Sequence, residues 1–149
     1  MSADVLECET MGRVTTAATI ENLEDRWEVK RGLRPANEAR RIEVTDALVD
    51  TGTTSVSLPT HLIKQLGLEQ IGTLQTLTAA GPRIANRCDA VRLTIQGRDC
   101  VVDVLEVPDD VPVLIGQVPL ELLDFVVDPK SQKLVGNPAH GGQQMLEMY

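Results

Sequence analysis

Apolar and polar positions along much of this chain alternate with a period of two, the spacing of a strand with one buried face. Val14–Ile20 (VTTAATI) is β-branched and alternates, which predicts a strand. ENLED, from Glu21 to Asp25, then predicts a turn, and Trp27 to Val29 a short continuing strand. Residues 30–40 are polar and carry Gly32 and Pro35, the composition of a loop. Ile42 and Val44 alternate with polar neighbours and lead into the run Ala47-Leu48-Val49. Two strand arms are predicted over Ile71–Thr78 and Ile84–Ile95, joined by the turn Ala79-Ala80-Gly81-Pro82. Gln96-Gly97 reverses the chain into Asp99–Val107, a second hairpin. Phe125–Val127 and Lys133–Val135 predict a last hairpin around Pro129.

The period lengthens in two places. Between Pro59 and Gly67, residues Leu62, Ile63 and Leu66 share one helical face; proline suits the first turn of a helix and glycine its end. Leu120, Leu122 and Leu123 mark a second short helix, after an apolar run Val111–Ile115 and Gly116. The segments ALVDTG…LPTHLIKQLG and VPVLIGQVPLELLD therefore share a plan: strand, glycine, short helix. This suggests two related halves that meet at their glycines. The whole predicts a mostly β domain with two short helices over residues 13–136, a flexible leader over 1–12 and a flexible tail over 137–149.

With 149 residues the chain is one domain long, enough to bury roughly 68–70% of its unfolded surface. Aromatic residues make up only 2%, so the core must be aliphatic. A net charge of −8 argues against a nucleic-acid partner bound by phosphate neutralisation. The basic cluster Lys30-Arg31, Arg34 and Arg40-Arg41 is expected to be a solvated loop. No run approaches the ~20 apolar residues of a membrane span, and the first residues lack the layout of a secretory signal. No membrane association is therefore expected, and a cytoplasmic location is. Cys8, Cys88 and Cys100, with His61 and His140, show no metal-ligand spacing, so no metal and no cofactor are expected and the thiols are expected to be idle.

One residue does not fit a purely structural account. Asp50 ends the apolar run Ala47-Leu48-Val49, with no positive charge within five residues to offset its burial. Asp50-Thr51-Gly52-Thr53 behind two apolar residues resembles the active-site signature of aspartic peptidases, and Leu114-Ile115-Gly116 before a helix is similar to their second signature. The order of parts, with a hairpin between the signatures, resembles the single-lobe, retropepsin-like type. The helix expected at Pro59–Leu66 is a feature of its bacterial and cellular members. The likeness covers about residues 42–128.

The resemblance implies a closed acid-protease β-barrel half with a flap hairpin, and peptide hydrolysis by a water held between two carboxyls. Asp50, Thr51 and Gly52 would then be catalytic. Thr53, the flap tip Ala79-Ala80-Gly81, and Leu114, Ile115 and Gly116 would line the substrate site. In that family the hydroxyl at the Thr51 position bonds across to the partner's loop. The chain has a single Asp-Thr-Gly, so the second carboxyl must come from another copy, and a homodimer acting on a polypeptide is implied. Asp46, Asp89, Asp99, Asp103, Asp124 and Asp128 lack the Thr-Gly context and are expected at the surface or in turns. Thr53 is expected to donate its hydroxyl to the carboxylate and so favour the ionised form. An alternative of a different class keeps the fold without the chemistry: a catalytically silent dimeric module that binds peptides along its cleft and sheet edges.

Overall fold

The computed structural model describes residues 13–148; the expected leader over 1–12 lies outside the described residues. Nine strands follow in chain order: β1 (Val14–Asn22), β2 (Arg41–Val49), β3 (Val56–Pro59), β4 (Gln70–Thr78), β5 (Gly81–Ile95), β6 (Arg98–Val107), β7 (Leu114–Ile115), β8 (Phe125–Asp128) and β9 (Lys133–Gly136). The helices are α1 (Leu23–Lys30), α2 (Thr60–Leu66) and α3 (Gln117–Leu123). The main sheet runs β1-β2-β7-β3-β6-β5-β4, and β1 also pairs with β5. That extra pairing joins Thr19–Asn22 to Val91–Thr94 and closes six strands into a barrel. Closure removes the free edges of those six strands, and β4 is left as the outer arm of a hairpin with the first half of β5. The pairings β2–β7 and β3–β6 are parallel; the others are antiparallel.

Alternation along the strands fills the barrel. Val91, Leu93 and Ile95 of β5 and Val102 and Val104 of β6 point inward, meeting Ile20, Val56, Leu58 and Ile115. All are aliphatic, as the scarcity of aromatics requires. Side chains of this kind bury about 1.5–3 kcal/mol each. The expected helix after Pro59 ends at Gly67, whose φ of +68° suits a residue without Cβ. At the Gln96-Gly97 turn both residues have positive φ, the twist that suits a two-residue hairpin.

Two expectations are corrected here. Where a turn and a short strand were expected, residues 23–30 form a third α-helix, α1. Asn22 caps it by accepting from the Asp25 N–H, Glu24 and Asp25 sit in its first turn, and Lys30 in its last. Its only buried residue is Asp25, and Trp27 is half-exposed. The second correction follows from the first, because the basic loop is not simply solvated. Arg40 grips Asp25 through Nε (2.8 Å), Nη2 (3.0 Å) and its own N–H (2.9 Å), and Arg34 lies 3.5 Å from the same carboxylate. These donors, the Arg40 side chain foremost, hold the Asp25 carboxyl below the usual carboxylate range.

Beyond β9, Pro138–His140 form a 3₁₀ turn, and Asn137, His140 and Met145 hydrogen-bond to Asp124. Asp124 does lie in a turn, as the left-handed cap of α3, yet it is buried. No helix among the described residues is long and apolar enough to cross a membrane.

Candidate active site

The loop Asp50–Ser55 between β2 and β3 is held by main-chain bonds on every side. β2 lies parallel to β7, with Leu48 opposite Leu114 and Val49 opposite Ile115. The ladder continues one step past the strand, where the Asp50 N–H donates to the Ile115 carbonyl at 2.9 Å. β7 also pairs with β3, so Ile115 stands between Val49 and Val56. The two expected signatures are therefore adjacent strands, and the chain leaves both in the same direction.

After Ile115, Gly116 runs under the loop. Its N–H donates to the Ser55 carbonyl at 2.9 Å, and the next two amides, Gln117 and Val118, donate to the Thr53 and Thr54 carbonyls, each at 2.9 Å. The first N–H groups of a helix have no partner inside it. At α3, which lacks a side-chain cap, the loop carbonyls supply the partners. A Cβ on Gly116 would stand 2.5 Å from the Ser55 carbonyl oxygen and 2.6 Å from the Thr54 carbonyl carbon, both main-chain atoms. Glycine is thus required by the close approach of the two segments. Ile115 and Gly116 are buried and hold the loop from beneath; Leu114 is half-buried.

The carboxylate itself is lightly held. Asp50 Oδ1 accepts the Gly52 N–H at 2.9 Å, and Asp50 is only half-buried. None of the ion pairs among the described residues includes it. Thr53 differs from expectation: its hydroxyl donates to the Asp50 main-chain carbonyl (3.0 Å), as does its N–H (3.1 Å). It braces the loop and does not touch the carboxylate. Thr51 and Gly52 are exposed beside Asp50.

Ala79 and Ala80 form the turn between β4 and β5, and Gly81 opens β5 at a φ of +103°. The turn is tied internally: Thr78 Oγ1 donates to the Gly81 carbonyl and accepts from the Ala80 N–H. No hydrogen bond among the described residues joins it to the Asp50 loop. Leu77 and Ile84 stand exposed near the tip.

Sequence reasoning missed a surface groove of about 400 Å³ beside the loop, lined by Thr54, Ser55, Val101, Asp103, Val118 and Leu122. Ser55 Oγ donates to the Asp103 carbonyl across it (3.0 Å). The signal lay in the hydroxyl run after Asp50-Thr51-Gly52 and the outward alternate positions of β6. Thiol chemistry has no support nearby. Burial raises the Cys88 thiol and pushes Cys100 up to about 11, so both are protonated at neutral pH. No group of three or more His, Cys, Asp or Glu side chains among the described residues is placed to hold a metal ion.

A family model described as aspartyl protease matches residues 37–118, more than half of the chain and inclusive of both signatures. No curated protein matches it. Among solved structures, the chain is similar to the solution structure of the simian foamy virus (mac) protease, with 18% identity, 73% of this chain and 93% of that chain covered, and a TM-score of 0.45.

Proposed function

The chain belongs to the aspartyl protease family, and we propose that it is a homodimeric endopeptidase in which two Asp50 carboxyls, one from each subunit, activate water against a peptide bond. One observation carries this reading: the Asp50 main chain is fixed by hydrogen bonds to its neighbours, while its carboxylate takes one bond, from the Gly52 N–H, and pairs with no cation among the described residues. A buried carboxylate kept for structure is normally saturated with donors. This one keeps most of its acceptor capacity free.

Two carboxyls brought together across a two-fold axis do not both ionise readily, so they share a proton and titrate as a unit. The ionised member takes a proton from a water whose oxygen bonds to the carbonyl carbon, while the protonated member gives its proton to the carbonyl oxygen. Proton transfer to the amide nitrogen then lets the C–N bond break, leaving an acid and an amine. Gly52 orients Asp50 through its N–H on Oδ1. Thr51 reaches the partner's loop. The exposed hairpin tip Ala79-Ala80-Gly81 closes over an extended polypeptide as a flap, adding main-chain hydrogen bonds to it.

The test uses dilution and mixing. Cleavage of a peptide library by the wild-type protein should fall with the square of concentration once sedimentation shows dissociation to monomers. Excess Asp50→Asn protein should poison wild-type activity, because mixed dimers hold one competent carboxyl. Activity that persists in the monomer, or that survives Asp50→Asn, would overturn the mechanism. Peptide binding with no cleavage under any condition would identify a peptide-binding module on the same fold.

A further inference from the structure

The far end of α3 carries a second cluster of ionisable groups, in which neither the signatures nor the proposed chemistry has a part. Asp124 caps the helix in the left-handed conformation (φ 59°, ψ 46°) and is buried. Its Oδ2 accepts from His140 Nδ1 at 2.6 Å and from the Met145 N–H at 3.0 Å, and its Oδ1 accepts from Asn137 Nδ2 at 3.2 Å. The main chain adds a bond from the Asn137 N–H to the Asp124 carbonyl (3.0 Å). From the start of β6, Arg98 donates to the Leu123, Asp124 and Gly142 carbonyls, with its guanidinium 4.5 Å from the centre of the Phe125 ring. The other ring nitrogen of His140, Nε2, lies 3.2 Å from Glu147 Oε1. The charged groups around His140 are therefore Asp124 from the helix cap and Glu147 from the tail, with Arg98 behind the Asp124 carbonyl.

This geometry specifies a protonation state. An ionised carboxylate only accepts hydrogen bonds, and a neutral imidazole has a single N–H. Both ring nitrogens of His140 face carboxylates, so both contacts are made together only by the imidazolium. We propose that Asp124, His140 and Glu147 form a pH-operated latch that fastens residues 137–148 onto the C-terminal end of α3, tightest while His140 carries two protons and weakened when it loses one.

The sign follows from both partners. The hydrogen bond to Asp124, then that to Glu147, raises His140 above its ordinary value. Fastening is thus complete below the ordinary histidine range and is lost as pH rises through the raised value. The His140 hydrogen bond foremost, with Asn137 and Met145, holds Asp124 below the usual carboxylate range. On the acid side fastening is present above that range and is lost as pH falls through the depressed value. Release also frees the Leu122 carbonyl, which accepts from Gln144 Nε2.

The experiment follows the His140 ring by NMR in the full chain while hydrogen exchange reports the Met145 amide, which donates to Asp124. His140 should titrate above the ordinary histidine value of about 6.5. Met145 protection, corrected for intrinsic exchange, should fall through the same pH. The fall should equal the factor by which the His140 proton affinity exceeds that of a free histidine, since the two are linked. In His140→Gln, protection should be low and constant over that range. Glu147→Gln should lower the His140 midpoint and keep the coupling. Constant Met145 protection through the wild-type titration would overturn the latch, and so would wild-type behaviour in His140→Gln. No peptide is cleaved in any arm, so failure of the peptidase reading leaves the result intact.

Discussion

Asp25 and Asp50 lie on opposite flanks of β2 and are held in opposite ways. Asp25 is buried on α1 and takes three hydrogen bonds from Arg40, with Arg34 alongside. Its side chain fastens the helix to the start of β2. Asp50 follows the end of β2, half-exposed, with a single side-chain bond from the Gly52 amide. Here the fastening is mostly main chain, Asp50 to Ile115, Gly116 to Ser55, Gln117 to Thr53 and Val118 to Thr54, with the Thr53 hydroxyl added. The difference teaches how this fold separates stability from chemistry. Where the carboxylate is the rivet it is saturated; where it is left free, the backbone around it carries the load.

Replacing each aspartate breaks the comparison most sharply. Asp50→Asn should cost about 10²–10⁴-fold in peptide cleavage, the scale of a lost general acid–base group. It should change stability by no more than about 0.5 kcal/mol in urea unfolding, as expected for a substitution that breaks no packed contact. A large loss of stability would show that the Asp50 carboxylate is a structural group after all.

Gly116→Ala attacks the other half of the contrast, the main-chain support. The added methyl meets main-chain atoms of Thr54 and Ser55 that cannot rotate away. The expected cost is about 3 kcal/mol, the upper part of the overpacking range. Hydrogen exchange at the Gln117 and Val118 amides should accelerate ahead of global unfolding. Protection equal to wild type at both would refute the account of the loop.

Asp25→Ala should cost about 2 kcal/mol, the scale of charge-assisted hydrogen bonds, moderated because Arg40 is half-exposed and regains water. The loss also carries a pH signature. The Asp25 carboxyl is held below its ordinary value, so its contribution is present above the ordinary carboxylate range and disappears as pH falls through the depressed value. Acid unfolding should therefore be steeper in the wild type than in Asp25→Ala, with peptide cleavage by the folded variant unchanged. Equal acid limbs would mean that Arg40 does not stabilise the ionised group.

These contrasts also explain what could be read from the sequence. The acid-protease β fold was legible because its strands bury one face: Val91, Leu93 and Ile95 alternate as the barrel wall demands. The Asp50 loop and its Leu114-Ile115-Gly116 neighbour were legible through their resemblance to the aspartic peptidase signatures, and close main-chain packing shows why Gly116 takes no side chain. α1 was missed because it docks through Asp25, so it shows no apolar stripe and its evidence was confined to its cap residues. Asp124 escaped for the same reason. Its partners, Asn137, His140 and Met145, lie 13 to 21 residues away, and no local pattern announces them. Polar pairings across long separations leave no periodic trace, whereas apolar packing does.

Thr53 is the finest test of the division between backbone support and free carboxylate. Its hydroxyl and its N–H both reach the Asp50 main-chain carbonyl, and neither reaches the carboxylate. Thr53→Val keeps the shape and the N–H bond and removes only the hydroxyl. Stability should fall by about 1 kcal/mol, the usual worth of one hydrogen bond. The pH profile of cleavage should not move, because the acid groups lose no donor. A profile displaced toward higher pH would mean that the hydroxyl does stabilise the ionised dyad, turning toward it when two subunits meet. The backbone and the carboxylate would then share a single support at this one residue.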